Sequence, residues 1–492
     1  MSIGKPNPLY PLRVLLVYSN RTLDLFLPPP IGLSYVASAT RRAGHTVRFV
    51  DLLTARNPQT ALHSALHDFQ PQVVGISVRN IDNVVHQRLR THFSELAQFI
   101  GLIRAATGRQ VPIVLGGPAI SILGDRAFKH IDADYAVHGE GEITFPALLE
   151  ALSAGRDPTG IPGVRVRDDN LTLADSVPTS LHSFGASGMQ DWIDWAPYQR
   201  HGSTWAIQTK RGCPMPCNYC TYPDIEGRKF RQRTVTDVVD EIETVQRTIS
   251  PRTFEFVDST FNLPEAHALG ICEEIICRGL KVNLTTMGIN PRATSVELLE
   301  LMKRAGFNSM MITPEAGNDY VLRSLDKGFD MDDVRRTADL SCASGLHSTW
   351  FFMLGGPGET RATVNETLRF AQTKLRTPQF LSIFMTGIRI LPGTPLARAH
   401  AAPGADLALP VFYFSPQVNE AWILRRINET IRNQPNIVHA AEEGGLLYGG
   451  LHHALYWLGV APPYWRFLPH LLGFPPLHAL RRKNPTVGTL AG

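Results

Sequence analysis

Along residues 1–155, short apolar runs alternate with segments whose apolar positions recur at helical spacing. RVLLVYS (13–19), TVRFVDLL (46–53), VVGISV (73–78), VPIVLGG (111–117) and ADYAVHG (133–139) read as strands, and segments such as LSYVASATRRAG between them read as amphipathic helices. This alternation predicts an α/β domain built on a doubly wound parallel sheet. In such sheets ligands sit beyond the carboxyl ends of the strands, where the strand order reverses. Those ends carry Ser19-Asn20, Ser77 to Asn80, Gly116-Gly117-Pro118 and Gly139-Glu140-Gly141-Glu142. Paired glycines there let a ligand approach the backbone closely.

Residues 156–200 are rich in Pro, Gly, Asp and Ser, with one alternating hairpin around GVRVRDDNLTLA, and read as a linker. A second alternation occupies 201–400. Its strands are STWAIQT, TFEFVD, VNLTTMGI, SMMIT, STWFFMLG and FLSIFMTGIRI, with helices such as TVTDVVDEIETVQRT and SVELLELMKRAG between them. Six such units predict a partial (β/α)6 barrel with its site at the carboxyl ends of the strands. Residues 401–492 are aromatic, Pro-punctuated and expected to be mainly helical. The stretch 445–461 reads as a buried helix, and Tyr413, Tyr448 and Trp457 as packing residues.

Composition narrows the function. With 43% hydrophobic and 19% charged residues, the chain is a multidomain globular protein of enzyme size. A net charge of +4 over 492 residues, without a basic run, argues against nucleic acid as a partner. No unbroken apolar stretch calls for stable membrane insertion, and prolines interrupt the N-terminal segment where a signal would need its apolar region, so a cytoplasmic protein is expected. Six cysteines do not make a secreted disulfide framework; Cys272, Cys277 and Cys342 read as buried free thiols. His138, at the fifth strand end, reads as structural.

The remaining cysteines stand together in KRGCPMPCNYCTYP. Cys213, Cys217 and Cys220 form C-x3-C-x2-C at the end of the first strand of the second half. Three thiolates on one loop can hold three irons of a four-iron four-sulfur cluster and leave the fourth open for chemistry. A structural zinc would need a fourth ligand nearby, and no second Cys pair follows at finger spacing. With the barrel pattern behind it, this loop resembles the radical S-adenosylmethionine superfamily.

That resemblance implies that the open iron chelates the methionine moiety of S-adenosylmethionine and that the cluster supplies an electron to cleave its sulfonium. It implies roles for further residues. Tyr219 matches the aromatic beside adenine. Asp258 and Ser259 in FVDSTFN match an acidic variant of the motif that receives the cofactor's ammonium. In ITPEAGNDYVLRSLDKGF, Glu315 corresponds to the acid that bonds the ribose hydroxyls and Lys327 to the cation that pairs with the methionine carboxylate. Leu354 and Gly355 in WFFMLGGPGET fall under adenine, and Leu391 in RILPGTPL is a backbone contact.

The first half, with PPPIGLSYVASATRRAGHTVRFVDLL followed by VVGIS, VLGGP and HGEGEITFPALL, resembles the cobalamin-binding domain of cobalamin-dependent radical S-adenosylmethionine enzymes. Cobalamin contacts are then expected from Asn20, Ser77, Arg79, Asn80, Gly116, Gly117, Gly139 and Glu140. The D-x-H-x2-G motif that supplies a histidine to cobalt is absent. The expected cobalamin is therefore base-off, its tail threaded toward Gly116 and Gly117, with Arg79 beneath the corrin. A guanidinium has no lone pair to give, so Arg79 would shield the lower cobalt face without ligating it.

The resemblance implies a methyltransferase of the methyltransferase branch. It would move a methyl group from S-adenosylmethionine through methylcobalamin to a poorly activated carbon, or to phosphorus, of a small-molecule or peptide substrate. A low-potential donor such as flavodoxin or ferredoxin would supply electrons. The SVRN and GIRILPGTPL stretches are similar to members that methylate tryptophan. The alternatives are a cyclisation, ring contraction or oxidation on the same cofactors, or a non-catalytic cobalamin carrier or redox sensor.

Overall fold

The computed structural model describes residues 11–21, 27–167, 181–441 and 445–475; for 445–449 only the backbone is described. Strands Arg13–Tyr18, Thr46–Asp51, Val73–Ser77, Ile113–Gly116 and Tyr135–Val137 form a parallel sheet, and Val164–Val166 adds an antiparallel edge. The spatial order is 2-1-3-4-5-6. Period-two alternation feeds both faces: Val14, Leu16 and Tyr18 enter one core, Leu15 and Val17 the other. Helices Ile31–Arg42 and Gly141–Ser153 cover the first face, Pro58–Phe69 and Phe93–Thr107 the second. The order reverses between the first and third strands, which places the switch point at Asn20 and Arg79. The edge strand comes from the expected linker hairpin, whose second half lies outside the described residues.

The second half forms one parallel sheet, with strands Trp205–Ile207, Phe254–Phe256, Leu284–Ile289, Phe307–Glu315, His347–Leu354 and Phe380–Thr386 in sequence order. Side-chain caps start its helices: Thr234 accepts from the Asp237 amide and Ser295 from the Leu298 amide, while Asp330 and Thr360 each close a capping box. A seventh strand, Ile437–His439, pairs in parallel with Phe380–Thr386. It belongs to the region expected to be mainly helical, and three residues are too short a run to show a period. On the sheet face turned away from the helices, Trp465 packs on Met311, Leu381, Ile383 and Val438.

Three expectations about the tail and the spare thiols need correction. Helix Gly445–Trp457 is not a buried core helix: Trp457 is 73% and Leu458 76% exposed. Tyr413 is half-buried against the His400 ring, and the Tyr448 side chain lies outside the described residues. Cys272 is buried, but Cys277 and Cys342 are exposed, because each sits at the end of a helix whose apolar face does not include it. Among the described residues, no helix is long and apolar enough to cross a membrane.

Candidate functional site

The cysteine loop leaves the barrel through the short strand Lys210–Arg211, which pairs antiparallel with Arg231–Gln232 and so closes the loop at its base. Gly212 makes the turn at φ +90°, and a Cβ there would lie 2.1 Å from the Lys229 carbonyl oxygen. Only glycine fits. The Cys213 amide donates to Gly227 O at 2.9 Å. The Asn218 amide donates to Leu325 O, and its side chain to Ser324 O at 2.7 Å, which ties the loop to the segment after the fourth strand. Cys213 is buried and Cys217 and Cys220 are partly so. Burial pushes the Cys220 thiol up to about 12 and raises Cys217, with Lys327 pulling both back down. Such thiols ionise readily only on a metal. Among the described residues, no three His, Cys, Asp or Glu side chains converge on a single-ion site. The donor set, three soft thiols on one loop, fits an iron–sulfur cluster.

Beside the loop, the partly buried Tyr219 and the buried Glu315 and Lys327 form one bonded unit. Tyr219 Oη donates to Glu315 Oε1 at 3.0 Å, Lys327 Nζ donates to Tyr219 Oη at 2.9 Å, and Lys327 lies 3.4 Å from Glu315 Oε1. Glu315 holds φ +70° at the end of the fourth strand, a conformation costly for a non-glycine residue and common at functional positions. Burial raises its carboxyl, and Lys327 opposes the rise. An acid, a phenol and a cation that can rearrange around an adenosyl ligand are thus gathered next to the three thiols.

Asp258 does different work from that expected. Its Oδ1 accepts from the Thr209 and Lys210 amides at 2.7 and 3.1 Å, and its Oδ2 from Thr209 Oγ1 at 2.6 Å and Lys210 Nζ at 3.2 Å. Four donors fill a carboxylate's accepting positions. Asp258 therefore anchors the base of the loop and has nothing left for an ammonium group. Ser259 is partly buried beside the loop, its Oγ donating to Gly212 O at 3.2 Å. Leu354 turns its side chain into the core under the helices, and the Gly355 amide donates to Glu359 Oε2 at 2.6 Å. Leu391 packs against the core of the first sheet, so it stands at the junction of the two halves.

At the switch point, Ser19, Asn20, Val78, Arg79, Asn80, His92 and Leu96 line a small cavity. Ser77 is buried beneath it, its carbonyl accepting from Ser19 Oγ at 2.9 Å. The Asn80 amide, in its bonded orientation, accepts from Arg79 Nη1 at 3.1 Å. The Arg79 charge also acts on Tyr222 and on the buried Glu255 of the barrel, whose carboxyl burial raises. Gly117 has φ +97°, and a Cβ there would lie 2.7 Å from Val78 O, whereas one on Gly116 would meet open space. The Gly139 amide donates to Ser121 Oγ at 3.0 Å. His138 donates its amide to Gly163 O, and burial lowers its imidazole below the ordinary value. The open backbone at Gly116 and the polar switch-point loops fit a large ligand laid over the sheet's carboxyl edge.

Glu140 is corrected from an expected cobalamin contact. Arg231 grips it with Nη2 to Oε1 at 2.6 Å and Nη1 to Oε2 at 2.9 Å, and the Leu181 amide also donates to Oε2. Sequence reasoning missed its partners Arg211 and Arg231, and also Asp82, Arg389 and Glu255, and it placed Glu142 at a strand end without giving it a role. The doubled acid of HGEGE, on the loop leading into a helix, was the available signal for Glu142.

The sequence profile of the radical SAM superfamily matches residues 207–371, and that of the B12 binding domain matches residues 25–149. An uncharacterized methyltransferase of Pyrococcus horikoshii, PH0819, is 26% identical over 70% of this chain and 73% of its own. The tryptophan 2-C-methyltransferase of Streptomyces laurentii is 25% identical over 76% and 72%. The anaerobic magnesium-protoporphyrin IX monomethyl ester cyclase of Rubrivivax gelatinosus is 25% identical over 70% and 62%. TsrM from Kitasatospora setae, a radical S-adenosylmethionine methyltransferase solved with cobalamin and an iron–sulfur cluster bound, superposes with a TM-score of 0.79 at 23% identity, over 96% of this chain and all of that one. A corrinoid-type sheet and a three-thiol barrel in one chain define a class of two-cofactor proteins. The chain belongs to the cobalamin-dependent radical S-adenosylmethionine family.

Proposed function

We propose that this protein is a methyltransferase that moves the methyl group of S-adenosylmethionine to a poorly activated carbon of a small molecule or peptide, phosphorus being the other acceptor. The observation that carries the reading is the joining of the three-thiol loop to the Glu315–Tyr219–Lys327 unit in a barrel docked on a switch-point sheet. When bound, the cluster supplies a reducing iron with an open position, and the corrinoid a cobalt that relays a methyl group.

The chain's own residues bind and orient. Cys213, Cys217 and Cys220 hold the irons. Lys327 pairs with the methionine carboxylate, Glu315 accepts from the ribose hydroxyls once Tyr219 releases it, and Tyr219 stands beside adenine. With Asp258 engaged, Ser259 and neighbouring carbonyls take the ammonium; backbone at Leu354, Gly355 and Leu391 completes the site. Asn20, Ser77, Asn80, Gly116, Gly117 and Gly139 cradle cobalamin, whose tail is detached. Arg79 shields the lower cobalt face and keeps it free of histidine. Residues 1–155 and 201–400 act as the two cofactor domains, joined through 156–200, with 401–492 as the C-terminal region. A cytoplasmic flavodoxin or ferredoxin is the electron source.

Because a similar protein is named for tryptophan C-methylation, tryptophan and related indoles are the first acceptors to offer. Anaerobically reconstituted protein given hydroxocobalamin, reductant, methyl-labelled S-adenosylmethionine and L-tryptophan or an indole panel should yield S-adenosylhomocysteine and a labelled product. The matched cyclase favours a second reading, a non-methylating reaction. Formation of 5'-deoxyadenosine with neither S-adenosylhomocysteine nor labelled product would select it.

A further inference from the structure

The two acids that follow the fifth strand of the first sheet hold the base of the cysteine loop. Glu142 Oε1 accepts from Arg211 Nη2 at 2.6 Å, and Glu140 lies 3.4 Å from Arg211 Nη1 while taking both Nη groups of Arg231. Arg211 and Arg231 face each other across the short hairpin that opens and closes the loop. Arg211 is 5% exposed, two residues before Cys213, and its guanidinium lies 4.7 Å from the Tyr35 ring centre and 4.3 Å from that of Phe184. A planar cation held between two rings and tied to a buried carboxylate has one orientation.

A second path joins the same parts. Gly139 bonds Ser121 on the short helix Pro118–Leu123 that begins at Gly117, and this helix packs on Tyr222–Glu226, inside the cysteine loop. Glu226 in turn accepts from the Gly212 amide at 3.1 Å, and Arg231 donates to Glu226 O at 2.6 Å. The loops at Gly117 and at Gly139–Glu142, both expected to touch cobalamin, are thus bonded or packed to the loop that carries the thiols.

We propose that Glu142 is a positioning residue which, through Arg211, couples corrinoid binding to the order of the cysteine loop. Each cofactor then raises the protein's affinity for the other. Ordering the Gly139–Glu142 loop around a corrinoid fixes the acids that hold the two arginines, and the hairpin between them sets the direction in which Cys213 leaves the barrel. Linkage makes the effect reciprocal. The inference rests on the two-cofactor reading above.

The test is the dissociation constant of hydroxocobalamin, measured by equilibrium dialysis on the full chain, iron-free and after anaerobic cluster reconstitution. The expected result is binding at least about fivefold tighter with the cluster present. Hydroxocobalamin should also slow backbone hydrogen exchange in 212–230 of the iron-free chain. In Glu142→Gln the ratio should fall below about twofold while iron-free binding is retained, and Glu142→Asp, which keeps the charge, should restore most of it. Equal affinities in the unaltered protein, or undiminished coupling in Glu142→Gln, overturn the inference and leave the two-cofactor reading standing. Failure of the unaltered protein to bind hydroxocobalamin at all overturns both.

Discussion

Arg389 Nε donates to Asp82 Oδ2 at 2.8 Å, an ion pair almost fully buried between residues 307 positions apart. Asp82 follows the switch-point loop of Arg79 and Asn80, and Arg389 ends the sixth barrel strand's extension, so the bond joins the two halves directly. Around it, Gln87 Nε2 and His86 Nδ1 bond Glu420 at 2.6 and 2.7 Å. The Arg389 guanidinium also donates to the Ile390 and Leu407 carbonyls. It therefore stays satisfied only in part if its acid is lost.

Asp82→Asn should destabilise the folded chain by about 3–5 kcal/mol, because it strands a buried cation. Chemical denaturation will show a lower midpoint. The exposed pair Arg335–Asp332 serves as the control, and Asp332→Asn should barely move it. A comparable small shift for both would show that the buried pair does not hold the halves together.

Replacing any one of Cys213, Cys217 or Cys220 with alanine should abolish cluster assembly, read as iron and sulfide per chain and as loss of visible absorbance. Substituting Cys272, Cys277 or Cys342 should leave iron content unchanged. Loss of iron on removing one of the latter three would place a ligand elsewhere.

Glu315→Gln and Lys327→Met should each weaken S-adenosylmethionine binding about 10- to 100-fold in reconstituted protein, as expected for a lost bond to a charged group of about 1.5–3 kcal/mol. Iron content should not change. Equilibrium dialysis with labelled S-adenosylmethionine checks this, and unaltered affinity in both variants would exclude the pair from the cofactor site.

Arg79→His should change the visible spectrum of bound hydroxocobalamin toward that of a six-coordinate, nitrogen-ligated cobalt, since imidazole can ligate where guanidinium cannot. An unchanged spectrum would mean that residue 79 does not face cobalt.

The seventh strand gives the protein an acid sensitivity. Burial lowers the His439 imidazole from its ordinary value of 6.5 to about 4, so it is neutral in the fold, while the unfolded chain takes up a proton below about pH 6.5. Stability from this residue is complete above that pH and is lost as pH falls through 6.5 toward 4. The loss is about 3 kcal/mol. His439→Asn should flatten the denaturation midpoint over this window by that amount, its side-chain oxygen replacing Nδ1 as acceptor for the Ala441 amide. An identical pH slope in the variant would assign the sensitivity to other groups.

What could be read along the chain was whatever is encoded locally. Two successive alternations of apolar runs predict two parallel sheets, and the strands Val73–Ser77 and Phe380–Thr386 fall within the runs that announced them. Three thiols on eight residues declare their chemistry by spacing, because one loop must supply all three. Glu315 and Lys327 were named only through the family resemblance, and the fold brings their side chains to 3.4 Å across twelve residues of chain.

The tertiary structure alone decided which charges meet. Asp258 and Glu140 are acids at strand ends, and nothing local distinguishes one awaiting a ligand from one already bound by Lys210 or Arg231. Glu142 and Arg211 are 69 residues apart, and Asp82 and Arg389 are 307 apart. Ion pairing depends on distance in space and on burial, neither of which composition or period encodes. The same holds for Ile437–His439, too short to carry a period and made a strand by the open sheet edge beside it, and for Trp457, an apolar side chain that packing left at the surface.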